Sequence, residues 1–508
     1  MKKLIYSLLS CVIFCSCVDK GSEPNPPTPP VEEKAEIISF SFLSSQNSDK
    51  LLSDVHCSID TNNVIECLIP YILDDKELIP TFQVSKGNLM YVNDEIESGE
   101  SVLDCSSVLR LRLETSNDTV FYSLKVRQFT GLPIVYITTD GYETISSTEE
   151  YINGSIKVVS DFAKVGTTGI FESTMQIRGR GNSTWNMPKK PYKIKFDEKK
   201  SLLGMPADKE WVLLANYSDK SFLRLALAFY MGEMSKMEYT PRSKFVEVVI
   251  NGVYNGTYQL CEQLKVSKDR VNVGDDGYLL EIDARATEDE RPMTIPNIYK
   301  PVIIKDKKGE ILEEDYQYVS NYLNKTTEVI FSSNFKDPEE GYAKYIDVWS
   351  FIDWYLINEI GKNNDAIFWA SCYMTLPKNG KLCMGPLWDF DIAFGNNNKK
   401  SNNEYEGFYL LNNIAWYKRL FTDEAFVQKV KERFNYYYDN RNVLFEYLNS
   451  EYENLKYAAE ENNNKWDIFY TQTWPNFQIL GSYQNEVQSL KTWLNLRLEW
   501  LKIEFDKM

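Results

Sequence analysis

Histidine is almost missing from this 508-residue chain, which carries only His56. One histidine, remote in sequence from any acidic cluster, excludes Ser-His-Asp and Cys-His nucleophile relays and multi-histidine zinc sites. His56 itself reads as structural. Cysteine is sparse in a telling way: of nine, three fall in the first seventeen residues, and the other six (Cys57, Cys67, Cys105, Cys261, Cys372, Cys383) form no Cys-x-x-Cys pair. That argues against a zinc or redox site; Cys372 and Cys383 flank a hairpin turn where they could be cross-strand neighbours, and they read as free buried thiols in preference to a disulfide. Positive charge is in deficit, 56 Lys and Arg against 73 Asp and Glu, for a formal net charge of −17. Nucleic acid and anionic membrane surfaces are therefore disfavoured as partners, whereas cations are compatible. Whatever chemistry the chain performs has to run on carboxylates, lysine, arginine and a metal.

Long hydrophobic runs are also absent; the apolar stretch Leu4 to Phe14, after Lys2 and Lys3, is too short to span a bilayer but suits a signal-peptide core. Small residues before Cys17 resemble a bacterial lipobox, so residues 1–17 are expected to be a lipoprotein signal with Cys17 as the lipidated first residue of the mature protein. The membrane is then met through the lipid anchor only, and the protein is placed in the bacterial cell envelope, on the outer membrane or the cell surface. A simple secreted protein is the alternative. Residues 18–35 are a Pro-rich tether. From 36 to 130 short alternating segments such as Ile37–Phe42, Val64–Ile69, Leu109–Leu113 and Phe121–Val126 predict an Ig-like β-sandwich without a chemical constellation.

Residues 131–508 hold the chemistry. Ile134–Ile137 is a strand, and Arg178-Gly179-Arg180-Gly181 is a Gly-rich turn where backbone N–H groups could approach phosphate with Arg178 and Arg180 as charged donors. In the strand that follows, alternation puts Lys193 and Lys195 on one face; either could contact phosphate, and a solvated basic edge is the plainer reading. Asp219 is a capping candidate for a helix from Ser221 to Met234, and Phe245 to Leu260 is a hairpin about an Asn251-Gly252 turn, with Glu262 directly after it. Residues 284 to about 340 look polar and irregular, an insertion or lid. Phe421 to Tyr438 and Val487 to Leu501 have the spacing of core helices.

Around Asn363-Asn364-Asp365 a helical pattern (Phe351, Ile352, Tyr355, Leu356, Ile360) gives way to a loop, then to a hairpin turning at Pro377-Lys378-Asn379-Gly380, then to Trp388-Asp389-Phe390-Asp391. A hairpin between them lets Asp365, Asp389 and Asp391 converge at one mouth, where a hard divalent cation would relieve their repulsion. Helix, aspartate loop, hairpin and aspartate follow the order of a protein-kinase C-lobe, as strand, Gly-rich turn, lysine strand, helix and hairpin follow that of an N-lobe, although His-Arg-Asp and Asp-Phe-Gly are absent. The plainer alternative makes Asp365 a turn cap and the other two ordinary loop acids.

Six blocks in order, Arg178–Trp185, Lys189–Lys195, Leu202–Asp208, Ala215–Lys220, Gly277–Glu281 and Pro386–Asp391, closely resemble the spore coat protein H (CotH) kinase family from about residue 132 to the C-terminus. The lipoprotein-like start resembles its Bacteroides-type members. The resemblance implies an α+β chain, a β-sandwich followed by an atypical protein-kinase-like two-lobed domain, that uses ATP with Mg²⁺ (or Mn²⁺ or Ca²⁺) to phosphorylate Ser or Thr of a protein substrate. It makes Asp365 the catalytic aspartate and Asp389 the metal-binding one, leaves Asp391 as a geometric addition, and does not settle which of Lys193 and Lys195 meets phosphate or whether Glu262 pairs with it. Arg224-Leu225 stands where the family usually has Arg-Asn. The competing class is a non-catalytic surface protein that recognises a glycan or protein; a carboxylate-only glycoside hydrolase is more remote.

Overall fold

The computed structural model describes residues 34–51, 54–69, 73, 75–160 and 170–508. The signal segment, Cys17 and most of the Pro-rich tether lie outside the described residues. The chain is a mixed α+β protein that divides into two compact units, one of residues up to 67 with 76–126, the other of 68–75 with 127–508.

The first unit is all β. Its alternating strands sort into a three-stranded sheet built about Ile37–Phe42, a six-stranded sheet that includes Val64–Ile69, Thr119–Gln128 and Leu109–Glu114, and a two-stranded pair. The period of two decides which side chains enter the core: Leu109, Leu111 and Leu113 are buried while Arg110 between them is exposed. A disulfide joins Cys57 to Cys67 with Cα atoms 4.4 Å apart. Its two residues flank the Ser58–Ile59 and Val64–Ile69 pairing, whose register sets them side by side around an Asp60 turn. His56 is exposed, its Nδ1 2.9 Å from Ser41 Oγ on the facing strand.

The second unit begins with seven strands: β1 Ile134–Thr139, β2 Ile152–Val159, β3 Ile170–Gly179, β4 Tyr192–Lys200, β5 Asp208–Leu214, β6 Ser243–Ile250 and β7 Val253–Glu262. They close into a barrel in the order β1-β2-β3-β4-β5-β7-β6, sealed by parallel pairing of β1 with β6. The order of elements anticipated for a first lobe is present, but its strands form a closed barrel, and residues 127–508 hold together as one compact unit. Ile137, Ile156, Ile177, Ile194, Trp211 and Leu260 fill the barrel from alternate positions. The β6–β7 hairpin turns at Asn251-Gly252, both with positive φ, the geometry that the Asn-Gly pair supplies.

Helix α1 spans Arg224–Glu233, shorter than the expected Ser221–Met234. Phe222 sits at φ 60°, and the Asp219 carboxylate accepts from the backbone of Ser221 and Arg224, so the first turn is held as a local cap and not as helix. The stretch read as a lid is ordered: β8 Tyr278–Ile282 pairs with β10 Ile298–Lys307, which pairs with β9 Met293–Ile295, and α2 Glu313–Phe331 follows. Val319, Leu323 and Ile330 are the helix's buried stripe, spaced by four and seven residues, a signal diluted by the acids and amides between them. Helix α3 Val348–Gly361 is buried from Ser350 onward, with Asp353, Asn358 and Glu359 set among its apolar residues. Then β11 Cys372–Leu376 pairs with β12 Cys383–Met384 about a turn at Pro377 to Gly380, completing a five-stranded sheet β9-β10-β8-β11-β12. Cys372 and Cys383 are free thiols, Cys372 buried and Cys383 half-buried; Thr375, not Cys372, stands opposite Cys383. Helices α4 Glu424–Asp439, α5 Arg441–Trp466 and α6 Tyr483–Lys507 finish the unit. Among the described residues no helix is long and apolar enough to cross a membrane.

Candidate functional site

A cavity of about 910 Å³ is walled by the β3–β4 turn, strand β4, the 214–219 segment and the two aspartate loops. Two opposed sets of charges line it. Arg178, Arg180 and Lys193 stand on one wall; Asp365, Asp389 and Asp391 stand on another.

The basic wall depends on the Gly-rich turn. A Cβ on Gly179 would come within 2.4 Å of the Trp185 ring, and Gly181 holds φ +84°, so neither position takes a side chain without moving the turn. Arg178 bonds the carbonyls of Thr148 and Gly179 and lies over the Tyr151 ring, which anchors the turn. Arg180 reaches over Trp388, 5.7 Å from the ring centroid, and among the described residues it has no carboxylate partner. Lys193 pairs with Glu210 at 2.9 Å, both side chains mostly buried. Against the opposing effect of burial, Lys193 and then Lys265 hold the Glu210 carboxyl below its ordinary value. Lys195, two residues on, is exposed outside the cavity with its ammonium over Tyr151.

One expectation is corrected on this wall. Glu262 does not meet either lysine: it is fully buried off the cavity, bonded by Arg242 at 2.8 Å and by the Tyr239 hydroxyl at 2.8 Å, because the end of β7 turns its face toward the 239–242 segment. Glu210 occupies that pairing role instead. The antiparallel β4–β5 pairing that brings Glu210 opposite Lys195, one neighbour from Lys193, was the signal. Lys189 also comes to the wall but is fully buried, its Nζ bonded to the Thr257 carbonyl and to Asn462 Oδ1 of α5, and burial lowers it to about 7. It acts as a strut between barrel and helix.

On the acidic wall, α3 ends at Gly361 with Lys362 in the left-handed region, and Asp365 follows in the loop. Asp389 itself sits at φ 54°, with Phe368, Ser371 and Phe394 also at positive φ around it. Non-glycine residues in that region cost of order 1–3 kcal/mol each, and such strain gathers where side chains must be aimed. Asn363 Nδ2 donates to the Asp389 carbonyl at 3.0 Å, and Ser371 Oγ donates to Asp389 Oδ2 at 2.7 Å. Ser218 Oγ donates to Asp391 Oδ2 at 3.0 Å. Burial first, and the charge of Asp389 second, push the Asp365 pKa up to about 6, against a lowering effect of Arg285; the same two causes raise Asp391.

The three acids therefore share one cavity and feel one another, yet among the described residues no three His, Cys, Asp or Glu side chains cluster tightly enough to cage a metal alone. Asp389 and Asp391, oxygen donors on one wall, fit a hard divalent cation that takes its remaining ligands from water and phosphate, the habit of Mg²⁺. Beyond Asp365 the cavity continues past Asp283–Arg285, 3.5 Å apart, and Glu281–Lys305, 2.7 Å apart. Glu281 ends the Gly277–Glu281 block, but the strand pattern alone does not show that β8 turns it into the cavity.

An acid-lined cleft facing a Gly-rich basic turn, set between a barrel and a helical region, defines an α+β protein with a site suited to a metal-bound, multiply charged anion. The family model described as CotH kinase protein matches residues 177–501, and the chain belongs to that family. No curated protein matches the chain. Among solved structures, it resembles a DUF4623 family protein from Bacteroides eggerthii DSM 20697 at 12% identity, over 37% of this chain and 58% of that one, with a TM-score of 0.14. A "putative glycoside hydrolase" from Bacteroides thetaiotaomicron VPI-5482 matches at 15% identity, over 51% of this chain and 71% of that one, with a TM-score of 0.15. Neither likeness carries an argument about fold or function at those scores.

Proposed function

We propose that the protein is an atypical kinase of the cell envelope that transfers phosphate from ATP, with a divalent metal, to a Ser or Thr hydroxyl of a protein substrate. The observation that carries this reading is that Asp365, Asp389 and Asp391 share one cavity with Arg180 and with Lys193, whose ammonium Glu210 holds at 2.9 Å. Metal-bound ATP is the class of ligand whose positive and negative parts fit both walls at once.

Arg180 and Lys193 would take the phosphate oxygens, with Glu210 holding Lys193 extended. Asp389 and Asp391 would hold the divalent cation, Mg²⁺, Mn²⁺ or Ca²⁺, which supplies charge neutralisation on the phosphates. Asp365 would accept the proton of the incoming hydroxyl as its oxygen bonds to phosphorus and the bond to the departing ADP breaks. A carboxyl already raised toward neutrality by burial is a better base for that step than a solvated aspartate. The sequence-derived lipid anchor at Cys17 supplies the envelope location, and the Cys57–Cys67 disulfide supports an oxidising compartment outside the cytoplasm.

Thermal stabilisation of residues 36–508 by ATP, with and without Mg²⁺ or Mn²⁺, tests the reading in wild type and Asp389→Asn. A metal-dependent rise in Tm that the variant loses is the expected result; a well-folded wild type that ignores ATP under every metal would overturn it.

A further inference from the structure

The segment between α5 and α6 reaches back into the acid-bearing loop. Asn476 is 5% exposed and its Nδ2 donates to the Ser218 carbonyl at 2.7 Å and to Asn396 Oδ1 at 2.8 Å. Asn396, equally buried, donates from Nδ2 to the Asp391 carbonyl at 2.6 Å and to the same Ser218 carbonyl at 3.0 Å. Ser218 closes the circuit by donating its hydroxyl to Asp391 Oδ2. Asp391 is thus gripped at its backbone and at its carboxylate, by residues 173 positions upstream and 5 downstream, and Asn476 ties those two together. Buried amides are costly unless paired, and here three of their bonds converge on Ser218 and Asp391 while a fourth joins Asn476 to Asn396.

The segment that carries Asn476 contains no helix or strand from Asp467 to Ser482, so side-chain bonds have to place it. Gln472 Nε2 bonds the Asn476 carbonyl at 2.6 Å, and Lys220 Nζ bonds the Thr471 carbonyl at 2.8 Å. Lys220 is two residues from Ser218. The 218–220 loop and the 471–476 segment are therefore stitched together at two points, the Ser218 carbonyl and the Lys220 ammonium. Trp474, between those stitches, forms part of the cavity wall.

We infer that Asn476 is a positioning residue for Asp391: through Asn396 and Ser218 it fixes the carboxylate so that the cleft holds its divalent cation. This rests on the reading that Asp389 and Asp391 bind a metal with ATP. Groups that orient metal-ligating carboxylates change metal affinity by roughly 10–100-fold when removed. An aspartate held only by its own loop would have to give up rotamer freedom on each binding event, a cost the clasp removes in advance.

The test is a Mn²⁺ titration at fixed ATP, read as thermal stabilisation of residues 36–508, in wild type, Asn476→Ala, Ser218→Ala and Asp389→Asn. We expect Asn476→Ala to need about tenfold more Mn²⁺ for half-maximal stabilisation, with ATP-free Tm changed much less, and Ser218→Ala to move the same way. A purely structural asparagine would lower the ligand-free Tm and leave the Mn²⁺ midpoint where it was. If both variants titrate like wild type while Asp389→Asn fails to respond, the positioning role is overturned and the metal site stands. If wild type itself shows no Mn²⁺ dependence, the kinase reading fails and the inference falls with it. Should Asn476→Ala not fold, Ser218→Ala, which removes one hydroxyl, decides the matter.

Discussion

Asp353, Glu359 and Asp219 each form an ion pair with an arginine, whereas among the described residues Asp365, Asp389 and Asp391 in the same unit form none. Glu359 on α3 is fully buried against an equally buried Arg497 of α6 at 2.8 Å, and it also accepts from the backbone of Tyr409 and Leu411. Asp353 takes Arg433 and the Tyr437 hydroxyl at 2.8 Å, and Asp219 takes Arg224. In those places the fold neutralises its own charge. In the cleft, hydroxyls of Ser371 and Ser218 are the donors, and hydroxyls orient a carboxylate without cancelling it. The chain supplies arginines for Asp353 and Glu359 on α3, the helix that leads to Asp365, and among the described residues forms no ion pair with the three cleft acids.

Removing Arg497 breaks the comparison from the structural side and is the largest effect expected. Arg497→Met would strand Glu359 among apolar residues and cost about 3–5 kcal/mol, because an uncompensated buried charge is far more expensive than a missing pair. Urea denaturation checks it; a loss under about 1 kcal/mol would mean that Glu359 does not depend on its arginine.

The cleft acids respond in the opposite direction. Asp365 carries a raised pKa, so in the folded protein it still binds a proton at pH values where the unfolded chain has lost its own. The stability this group contributes is complete below about 4 and is lost as pH rises through about 6. Above that, wild type without metal folds with an ionised carboxylate beside Asp389. Asp365→Asn should then stabilise the metal-free protein at pH 8 by about 1–2 kcal/mol, after allowing for partial solvent screening, and the gain should fade toward pH 4. The same variant should lose phosphoryl transfer and keep nucleotide binding. A metal-free Tm that falls at pH 8 on this substitution would show that Asp365 is held by partners as Glu359 is.

Much of this contrast was readable from the chain, and the unread part has a definite physical origin. Local signals placed the β6–β7 hairpin, the Pro377–Gly380 turn and the end of α3, because turn residues and helical periodicity act over a few positions. The three aspartates were singled out by their place on either side of a hairpin, which is also local. What could not be read was pairing between distant segments: Glu210 and not Glu262 for Lys193, the barrel closure of β1 on β6, and the reach of Asn476 to Ser218 across 258 residues. The helix at 313–331 was missed for a different reason, since its buried stripe is interrupted by surface acids and amides that read as loop. The Cys57–Cys67 bridge had a signal that went unread, two cysteines flanking a tight hairpin.

The smallest expected effect separates the two lysines of β4. Lys193 and Lys195 share a strand face, but only Lys193 has its ammonium at the cavity wall with a carboxylate 2.9 Å away. Lys195 spends its charge in solvent over Tyr151, where a cation–aromatic contact is worth about 0.5–1 kcal/mol at most. Lys195→Ala should therefore change stability by no more than about 0.5 kcal/mol and leave the half-maximal concentration of Mg²⁺-ATP unchanged. Lys193→Ala should raise that concentration about tenfold, the loss of one charge-assisted bond of about 1.5 kcal/mol. Because the two substitutions delete the same group from the same strand, a common effect on the barrel would appear in both, and equal weakening by Lys195→Ala would mean that the phosphates approach from the Tyr151 side and not across the cleft toward Asp389.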